Sequence, residues 1–241
     1  MEILEQNAAY VVCVKPAGIP SQGEGPEAMP AQLAAELRAL SAQPAAHPPA
    51  QPAAGPSASP AEPALGLHGE IYPVHRLDQA VGGVIVYAKT AQEAARLTQQ
   101  MGQGGMQKTY LAVLTHCPPE HAGVLEDLLY HDRMKNKTYV VKRPRGGVKQ
   151  ARLRYEIVSG QGDLSLARVQ LETGRTHQIR VQFASRGCPL LGDGKYGGSD
   201  NRCTCALWSY RLTLCLPGGK SETFTANPPE RFPWTEFALP K

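Results

Sequence analysis

Residues 74–90, "VHRLDQAVGGVIVYAKT", place a lone acid, Asp78, directly before an apolar run. The β-branched run after it predicts a strand, and Thr90 followed by Glu93 has the spacing of a helix capping box. A single Asp in a turn before a strand most often only accepts hydrogen bonds from backbone amides. The local sequence therefore favours a turn residue over a catalyst, and the rest of the chain has to decide between them.

Composition describes a mildly basic chain without membrane or secretion signals. Its 241 residues include 25 Lys and Arg against 21 Asp and Glu, which permits a nucleic-acid partner without demanding one. No apolar run approaches the roughly 18 residues of a membrane span, and the N-terminus does not resemble a signal peptide. Six scattered cysteines without a CxxC pair indicate reduced thiols. We expect a cytoplasmic protein with no membrane partner.

The first third of the chain predicts a strand, a helix and an insertion. An apolar strand over 10–14 ends in the turn Lys-Pro-Ala-Gly, and a helix follows with Leu33, Leu37 and Leu40 on one face. Residues 41–63 contain seven Pro and eight Ala and no large apolar side chain. Such a stretch cannot bury enough surface to fold, so we expect a disordered insertion within a single domain spanning 1–241.

The remaining two thirds read mostly as strands. The pattern predicts a strand from 106, a hairpin over 131–158 with Gly146-Gly147 near its turn, a strand over 163–174 and a strand from 203. Helices are predicted after Thr90 and over 175–189. Because strands dominate and βαβ alternation is not sustained, we predict the α+β class with a mostly antiparallel sheet.

Residues 131–154 form the most basic stretch of the chain. Nine cations accompany a single acid, Asp132; the cations are Arg133, Lys135, Lys137, Lys142, Arg143, Arg145, Lys149, Arg152 and Arg154. Cations clustered on one surface would follow the phosphates of a nucleic acid, with Lys142 and Arg143 as candidate contacts. The alternative is an exposed hairpin kept soluble by its charge.

The segment "TGRTHQIR" gathers Arg175, His177 and Arg180 at the predicted start of a helix. Helix amide groups together with arginine form an anion site. Arg180 paired with a structural acid, and His177 as an ordinary core residue, are equally compatible with this spacing.

The sequence predicts neither a metal nor a nucleotide cofactor. Cys203 and Cys205, with Cys188 and His177 nearby in sequence, lack the ligand spacing of a zinc site. There is no P-loop and no GxGxxG after a strand.

Five segments in this order resemble the RluA family of RNA pseudouridine synthases: "KPAG" at 15–18, "HRLD" at 75–78 with "AKT" at 88–90, "KTYLAV" at 108–113, "GRTHQIRVQ" at 174–182 and "LLGDGKYGG" at 190–198. The resemblance covers about residues 8–215, apart from the Pro/Ala stretch. It implies the pseudouridine-synthase fold, a bent mixed sheet with flanking helices around a central cleft. It also implies that the chain isomerises uridine to pseudouridine in structured RNA, ribosomal or transfer.

The resemblance also assigns roles to residues. Asp78 matches the catalytic aspartate, as a nucleophile or a base, Arg180 matches the active-site basic residue, and Tyr110 matches a tyrosine that stacks on uracil or accepts the proton from carbon 5. The target base must leave its stack, and Arg76 is placed to fill the vacated space or to hold a phosphate; a structural ion pair is the alternative.

We expect His75, Arg175 and His177 to contact substrate or RNA as well. No metal or cofactor is implied by the resemblance.

Two departures from the family pattern stand out. Where the family has Thr-Ser-Gly, this chain has Val81-Gly82-Gly83; we interpret the missing hydroxyls as serving the turn, with glycine keeping the backbone free. Many relatives carry a small N-terminal RNA-binding module, whereas here we expect the catalytic domain to begin almost at Met1 and RNA affinity to rest on that domain, acting as a monomer.

Two rival functions remain open. A catalytically silent RNA-binding protein of the same fold has no need for an active Asp78. A nucleoside or sugar hydrolase needs a second carboxylate near the cleft, for which no motif supplies a candidate.

Overall fold

The computed structural model of the protein describes residues 1–42 and 70–240. Its strands, in chain order, are β1 Ile3–Gln6, β2 Tyr10–Lys15, β3 Tyr72–Pro73, β4 Gly82–Ala88, β5 Met106–Leu114, β6 Ala122–Asp132, β7 Lys137–Val141, β8 Val148–Gln161, β9 Leu164–Leu171, β10 Leu207–Cys215 and β11 Ser221–Thr225. Its α-helices are α1 Met29–Ala42, α2 Ala91–Gly102 and α3 Gln178–Ala184. Single 3₁₀ turns cover Pro217–Gly219 and Trp234–Glu236.

All described strands join one sheet in the order β1-β2-β4-β10-β5-β9-β8-β6-β7, with β11 beside β10 and β3 beside β4. Every pairing is antiparallel except that of β4 with β10. The predicted α+β class and mostly antiparallel sheet are confirmed. Asp78 follows the short β3 and precedes β4, which lies deep in the sheet and is buried along its whole length.

Helix α1 covers one face of the sheet through a repeat of four residues. Met29, Leu33 and Leu37 are buried against β2 and β4. The next position in this repeat is Ser41, so Leu40 lies off the buried stripe and is 49% exposed. The prediction that Leu40 shares the buried face is therefore wrong. The predicted insertion over 41–63 lies outside the described residues, apart from its first two, which end α1.

Helix α2 begins as its sequence predicts. The Thr90 side chain accepts a hydrogen bond from the amide of Glu93 at 3.1 Å and caps the helix. Leu97 is fully buried against the sheet, and Met101 packs at the edge of the same cluster.

Helix α3 is shorter than predicted and is buried on all sides. His177 precedes it in a left-handed conformation with φ of 54°, which prevents the helix from starting earlier. Ile179 and Phe183 anchor it in the main core, each contributing about 1.5–3 kcal/mol by burial. The central position of α3 directs Arg180 into the protein interior.

The hairpin in the basic stretch differs from the prediction. Strand β7 pairs with β6 and not with β8, while β8 pairs with the other edge of β6. The hairpin turn is at residues 133–136, where Asn136 adopts φ of 44° and the Asp132 carboxylate accepts a hydrogen bond from the Lys135 amide. This local turn chemistry places the hairpin earlier than Gly146-Gly147, which instead lie in the loop that crosses to β8.

Candidate active site

A cavity of about 920 Å³ opens where the ends of β3, β5 and β9 meet the start of α3. It is lined by seven of the nine residues that the sequence singles out for the site: His75, Arg76, Asp78, Tyr110, Arg175, His177 and Arg180. The fold thus brings Asp78 and Arg180, which are 102 positions apart in the sequence, to the same cavity.

The loop carrying Asp78 is fixed by a buried lysine. Lys15, at the end of β2, is fully buried and donates hydrogen bonds to the carbonyls of Pro16, Ile19 and Gln79 at 2.6–3.2 Å. Desolvation lowers the pKa of Lys15 to about 8, and the nearby Asp78 carboxylate opposes that shift. Lys15 therefore ties the turn after β2 to the residue next to Asp78.

Arg180 holds Asp78 in place and is itself held by a second acid. Its Nη1 donates to Asp78 Oδ2 at 2.9 Å, and its Nε and Nη2 donate to the two oxygens of Asp193 at 2.7 Å each. Arg180 and Asp193 are buried, whereas the Asp78 side chain remains 19% exposed and faces the cavity. One guanidinium thus presents a partly open carboxylate to the cavity.

Tyr110 projects from β5 into the same cavity and is buried. Burial, with a smaller contribution from the Asp78 charge, raises the pKa of Tyr110 well above its usual value. Its hydroxyl is therefore protonated at neutral pH. A neutral phenol can stack on a base and form hydrogen bonds, but it is a poor acceptor for a proton from carbon.

His177 approaches Asp78 from the other side and is oriented by Tyr196. Its Nε2 lies 3.8 Å from Asp78 Oδ2, and its Nδ1 lies 2.9 Å from the Tyr196 hydroxyl. That hydroxyl oxygen accepts a hydrogen bond from the Thr138 amide at 2.8 Å, which leaves its own proton to point to Nδ1. We therefore assign the proton of neutral His177 to Nε2, facing the carboxylate.

The pKa of His177 agrees with a neutral ring. Desolvation lowers it to about 4, with Asp78 opposing this and the cations Arg180 and Lys195 adding to it. The left-handed backbone at His177 is an uncommon conformation for a residue other than glycine, and such strain often accompanies functional sites.

The two arginines at the rim of the cavity are exposed. Arg76 Nη2 donates to the Thr176 hydroxyl at 2.7 Å, and Arg175 Nε donates to the Gln150 carbonyl at 2.8 Å. In the described residues neither arginine forms an ion pair, so the structural ion pair considered for Arg76 is not observed. Both cations can contact an incoming anion.

His75, which we expected to contact substrate or RNA, is buried. Its Nε2 accepts a hydrogen bond from the Val86 amide at 3.3 Å, and burial lowers its pKa to about 3. It lines the cavity as a neutral, buried ring.

Lys142 and Arg143 are exposed in the loop between β7 and β8 and do not line the cavity. The structure therefore does not bring them together with Asp78. Within the same stretch, Arg152 and Arg154 form ion pairs with Glu172, and Arg145 stacks on the Tyr130 ring. Part of the basic stretch is thus already paired.

Gly82 and Gly83 lie in β4 rather than in the turn. A Cβ at Gly82 would lie 2.4 Å from the Trp208 ring, and one at Gly83 would lie 2.2 Å from the Ser209 carbonyl. Gly83 also has φ of 115°. Position 82 therefore lies in the strand, where its glycine makes room for Trp208 on the neighbouring strand.

Four residues of the site were not assigned a role from the sequence: Lys15, Lys108, Asp193 and Tyr196. Asp193 and Tyr196 belong to "LLGDGKYGG", and Lys15 and Lys108 open two other motifs. Their position inside family motifs was the available signal, but the residues that each of them contacts can be identified only from the folded structure.

Two further carboxylates bear on the hydrolase alternative. Asp193 is 1% exposed and both its oxygens are bound by Arg180, while Glu172 lines the cavity but is paired with two arginines. Neither is free to act as a second acid-base group. Residues 1–42 and 70–240 contain no cluster of three or more His, Cys, Asp or Glu side chains that could hold a metal ion. Among those residues no helix is long and apolar enough to cross a membrane.

Solved structures with a similar fold include human RNA pseudouridylate synthase domain-containing protein 4. It superposes with a TM-score of 0.68, covering 95% of this chain and 89% of that one at 23% identity. Human RNA pseudouridylate synthase domain-containing protein 1 gives the same TM-score at 17% identity, with 95% and 83% covered. At these identities the likeness concerns the fold.

Sequence relatives cover most of this chain. An uncharacterized RNA pseudouridine synthase of Chloroflexus aurantiacus is 39% identical over 69% of the chain and 54% of its own length. Ribosomal large subunit pseudouridine synthase D of Borreliella burgdorferi is 33% identical over 66% of the chain and 49% of its own length. The chain thus spans about half the length of these two relatives. An uncharacterized RNA pseudouridine synthase of Zymomonas mobilis, 32% identical, is matched over 74% of its length.

Residues 9–185 match the RNA pseudouridylate synthase family, a range that includes Asp78, Tyr110 and Arg180. The chain belongs to this family.

Proposed function

We propose that this protein isomerises uridine to pseudouridine within RNA. The observation that carries the proposal is the Asp78 carboxylate, open to the cavity and held at 2.9 Å by the buried Arg180, in a member of this family. The reaction breaks the bond between ribose carbon 1′ and uracil nitrogen 1 and joins carbon 5 to carbon 1′. The proton from carbon 5 is lost and nitrogen 1 gains one, so atoms and electrons balance without a cofactor.

Asp78 is the residue that acts on the nucleotide. Attack on the sugar and removal of a sugar proton both require a carboxylate oxygen that reaches the cavity. Oδ2 is occupied by Arg180, so Oδ1 is the oxygen available to the substrate. The salt bridge fixes the carboxylate plane, so little orientation has to be lost when the substrate binds.

Tyr110 holds the base in this scheme. Its ring provides a stacking surface in a buried wall, and its neutral hydroxyl provides a hydrogen-bonding group. Because the phenol is protonated, removal of the proton from carbon 5 falls more naturally to the Asp78 carboxylate than to Tyr110.

Entry of the base requires flipping. A uridine in folded RNA must leave its stack to reach Asp78 in this cavity. The exposed Arg76 at the rim is placed to fill the vacated space or to bind a phosphate, and Arg175 lies beside it. If Arg76→Ala leaves RNA affinity and turnover unchanged, this role is wrong.

The substrate is RNA, and we propose ribosomal or transfer RNA. One relative is named for the large ribosomal subunit, and the exposed cations Lys142 and Arg143 offer contacts to RNA beyond the cavity. All described strands join one sheet, which supports a single catalytic domain, and we propose that it acts as a monomer. We also propose that the protein works in the reducing cytoplasm. The described cysteines are free thiols, and burial raises the pKa of several of them, including Cys13 and Cys205.

Comparison of pseudouridine maps of RNA from cells with and without the gene tests the proposal and names the target. Sites that disappear in the deletion and return with the wild type but not with Asp78→Asn are expected. A map unchanged by the deletion would favour the catalytically silent RNA-binding protein.

A further inference from the structure

Lys108 is a buried cation without a counter-ion. It lies in β5 and is 9% exposed, and its one hydrogen-bonding contact among the described residues is the Met101 sulfur, 3.5 Å from Nζ. Within residues 1–42 and 70–240 no carboxylate lies within 4 Å of this ammonium. A thioether is a weak acceptor, so two of the three ammonium protons have no partner there.

The other buried cations of the site are fully matched. Arg180 is bound by two carboxylates, and Lys15 by three backbone carbonyls. Burying a charge is costly unless it is paired and hydrogen-bonded, and proteins normally meet that requirement. Lys108 departs from this rule at the wall of the cavity, where a ligand would come into reach.

The position of Lys108 relates it to the reacting group. It lies two residues before Tyr110 on the same strand, so both side chains leave the same face of β5, about 7 Å apart along the strand. Both line the cavity. The ammonium also lies beside Gly174, since a Cβ there would be 3.5 Å from Nζ. Lys108 is therefore within about one nucleotide of the place proposed for the uracil ring.

Among the described residues no carboxylate forms an ion pair with Lys108, and Glu172, which lines the same cavity, is bound by Arg152 and Arg154. Burial lowers the pKa of Lys108, and no carboxylate opposes that shift. His75, which also lines the cavity, is neutral because burial and the Lys108 charge lower its pKa to about 3. An anion entering this end of the cavity would meet the Lys108 charge, because the Glu172 carboxylate is already paired with two arginines.

We propose that Lys108 forms an anion subsite that binds a backbone phosphate of the RNA strand next to the target uridine. This inference rests on the proposed function, because the phosphate belongs to the strand whose uridine enters the cavity. The phosphate would supply the missing counter-charge and hydrogen-bond acceptors. Lys108 would then fix where the strand enters and how far the nucleotide reaches towards Asp78.

A purely structural lysine, covering apolar surface with its hydrocarbon stem, makes a different prediction. Lys108→Met retains the stem and its contact with Met101 but removes the charge. If the charge serves only the ligand, this variant unfolds at the same or a higher temperature than the wild type, because an unpaired buried charge is replaced by an apolar group. A marked fall in the unfolding temperature would show that the ammonium has a structural role and would overturn the proposal.

Binding of small probes tests the subsite directly. The ligands are uridine, uridine 3′-monophosphate, uridine 5′-monophosphate and inorganic phosphate, titrated into the wild type, Lys108→Met and Lys220→Met. Lys220 is exposed in the turn before β11 and controls for the loss of one positive charge. We expect one of the two monophosphates to bind the wild type and Lys220→Met about tenfold more tightly than uridine, as a charge-assisted hydrogen bond allows. In Lys108→Met this advantage should disappear.

Two results would overturn the subsite: equal affinity of the wild type for uridine and both monophosphates, or a phosphate advantage that survives in Lys108→Met. Inorganic phosphate that binds as tightly as the better monophosphate would also contradict a site that reads phosphate next to uridine. The measurement does not depend on turnover. A wild type inactive on RNA but with a Lys108-dependent advantage would support the subsite and contradict the proposed function.

Discussion

Arg180 joins Asp78 to Asp193, with one hydrogen bond of 2.9 Å to the first and two of 2.7 Å to the second. Asp193 is almost fully buried, whereas Asp78 faces the cavity. The unequal bonding gives the two acids different tasks. Asp193 fixes the guanidinium, and the guanidinium fixes the acid that meets the substrate.

Asp193→Asn should therefore impair catalysis, although Asp193 does not contact the substrate. The amide keeps the size of the side chain but replaces one accepting oxygen with an NH2 group that can only donate, so the paired hydrogen bonds from Arg180 are lost and the guanidinium loses its fixed position. We expect turnover to fall about 100-fold, as misplacement of a catalytic group does. The free energy of unfolding should fall by about 3 kcal/mol, because a buried ion pair is broken.

Turnover on RNA and denaturant unfolding check this expectation. Asp200→Asn is the control, since Asp200 pairs with Arg202 at the surface. Wild-type turnover in a folded Asp193→Asn protein would show that Arg180 does not depend on Asp193.

Tyr196→Phe should allow neutral His177 to change its tautomer. The hydroxyl accepts from the Thr138 amide and donates to His177 Nδ1, so its loss allows the proton to move from Nε2 to Nδ1. We expect turnover to fall about tenfold, a modest share of a general acid–base or orienting effect, with RNA affinity unchanged. Nitrogen NMR of the histidine ring reports the tautomer.

The control for this variant is Tyr72→Phe, whose hydroxyl contacts Glu70 at the surface. If turnover is unchanged in Tyr196→Phe although the ring spectrum shows the proton at Nδ1, then the Nε2 proton does not contribute to the catalytic function of Asp78.

His177 should make the fold sensitive to acid. Desolvation lowers its pKa to about 4, whereas an unfolded histidine titrates near 6.5. Between these values the unfolded chain binds a proton that the folded chain does not, so stability is lost as the pH falls from about 6.5 to about 4. The slope from this group is at most about 1.4 kcal/mol per pH unit.

Unfolding by urea across this pH range measures the slope. His177→Asn, a residue that tolerates the left-handed backbone, should reduce the slope by about one proton. His116→Gln, at an exposed position, should leave it unchanged. A His177→Asn slope equal to that of the wild type would show that His177 is protonated in the folded protein.

Gly82 should resist restoration of the family's serine. A Cβ at this position would lie 2.4 Å from the Trp208 ring, which is buried. Gly82→Ser should therefore cost about 1–3 kcal/mol of stability through overpacking. Adding Trp208→Leu should recover part of the loss, which thermal unfolding of single and double variants can measure. Gly146→Ala, where a Cβ meets nothing within 4 Å, is the control; a Gly82→Ser protein as stable as wild type would contradict the packing argument.

The sequence was most informative where a local pattern determines a local structure. The N-cap at Thr90 and the strand that follows Asp78 are determined by side-chain chemistry and hydrophobic pattern, and both predictions are confirmed. The hairpin was misplaced because Gly146-Gly147 is a strong turn signal, whereas the turn at 133–136 depends on a single Asp and a left-handed Asn. Pairing between strands is set by tertiary packing, which a local pattern does not contain.

The site shows the same division. Motifs assigned Asp78, Tyr110 and Arg180, and the structure brings them to one cavity. The motifs did not reveal that Asp193 binds the Arg180 guanidinium, or that Tyr196 orients His177, because these contacts depend on how separate segments pack together. The same holds for Lys108, which has the Met101 sulfur as a contact but no counter-ion among the described residues.

Release of tritium from RNA labelled at carbon 5 of uridine tests the central claim most directly, because that hydrogen is lost only if carbon 5 forms a new bond. The substrate is total RNA from cells that lack the gene. We predict release by the wild type, and none above background by Asp78→Asn that binds the same RNA with wild-type affinity. Equal release by both proteins would contradict the catalytic role of Asp78, and no release by either would contradict the proposed function.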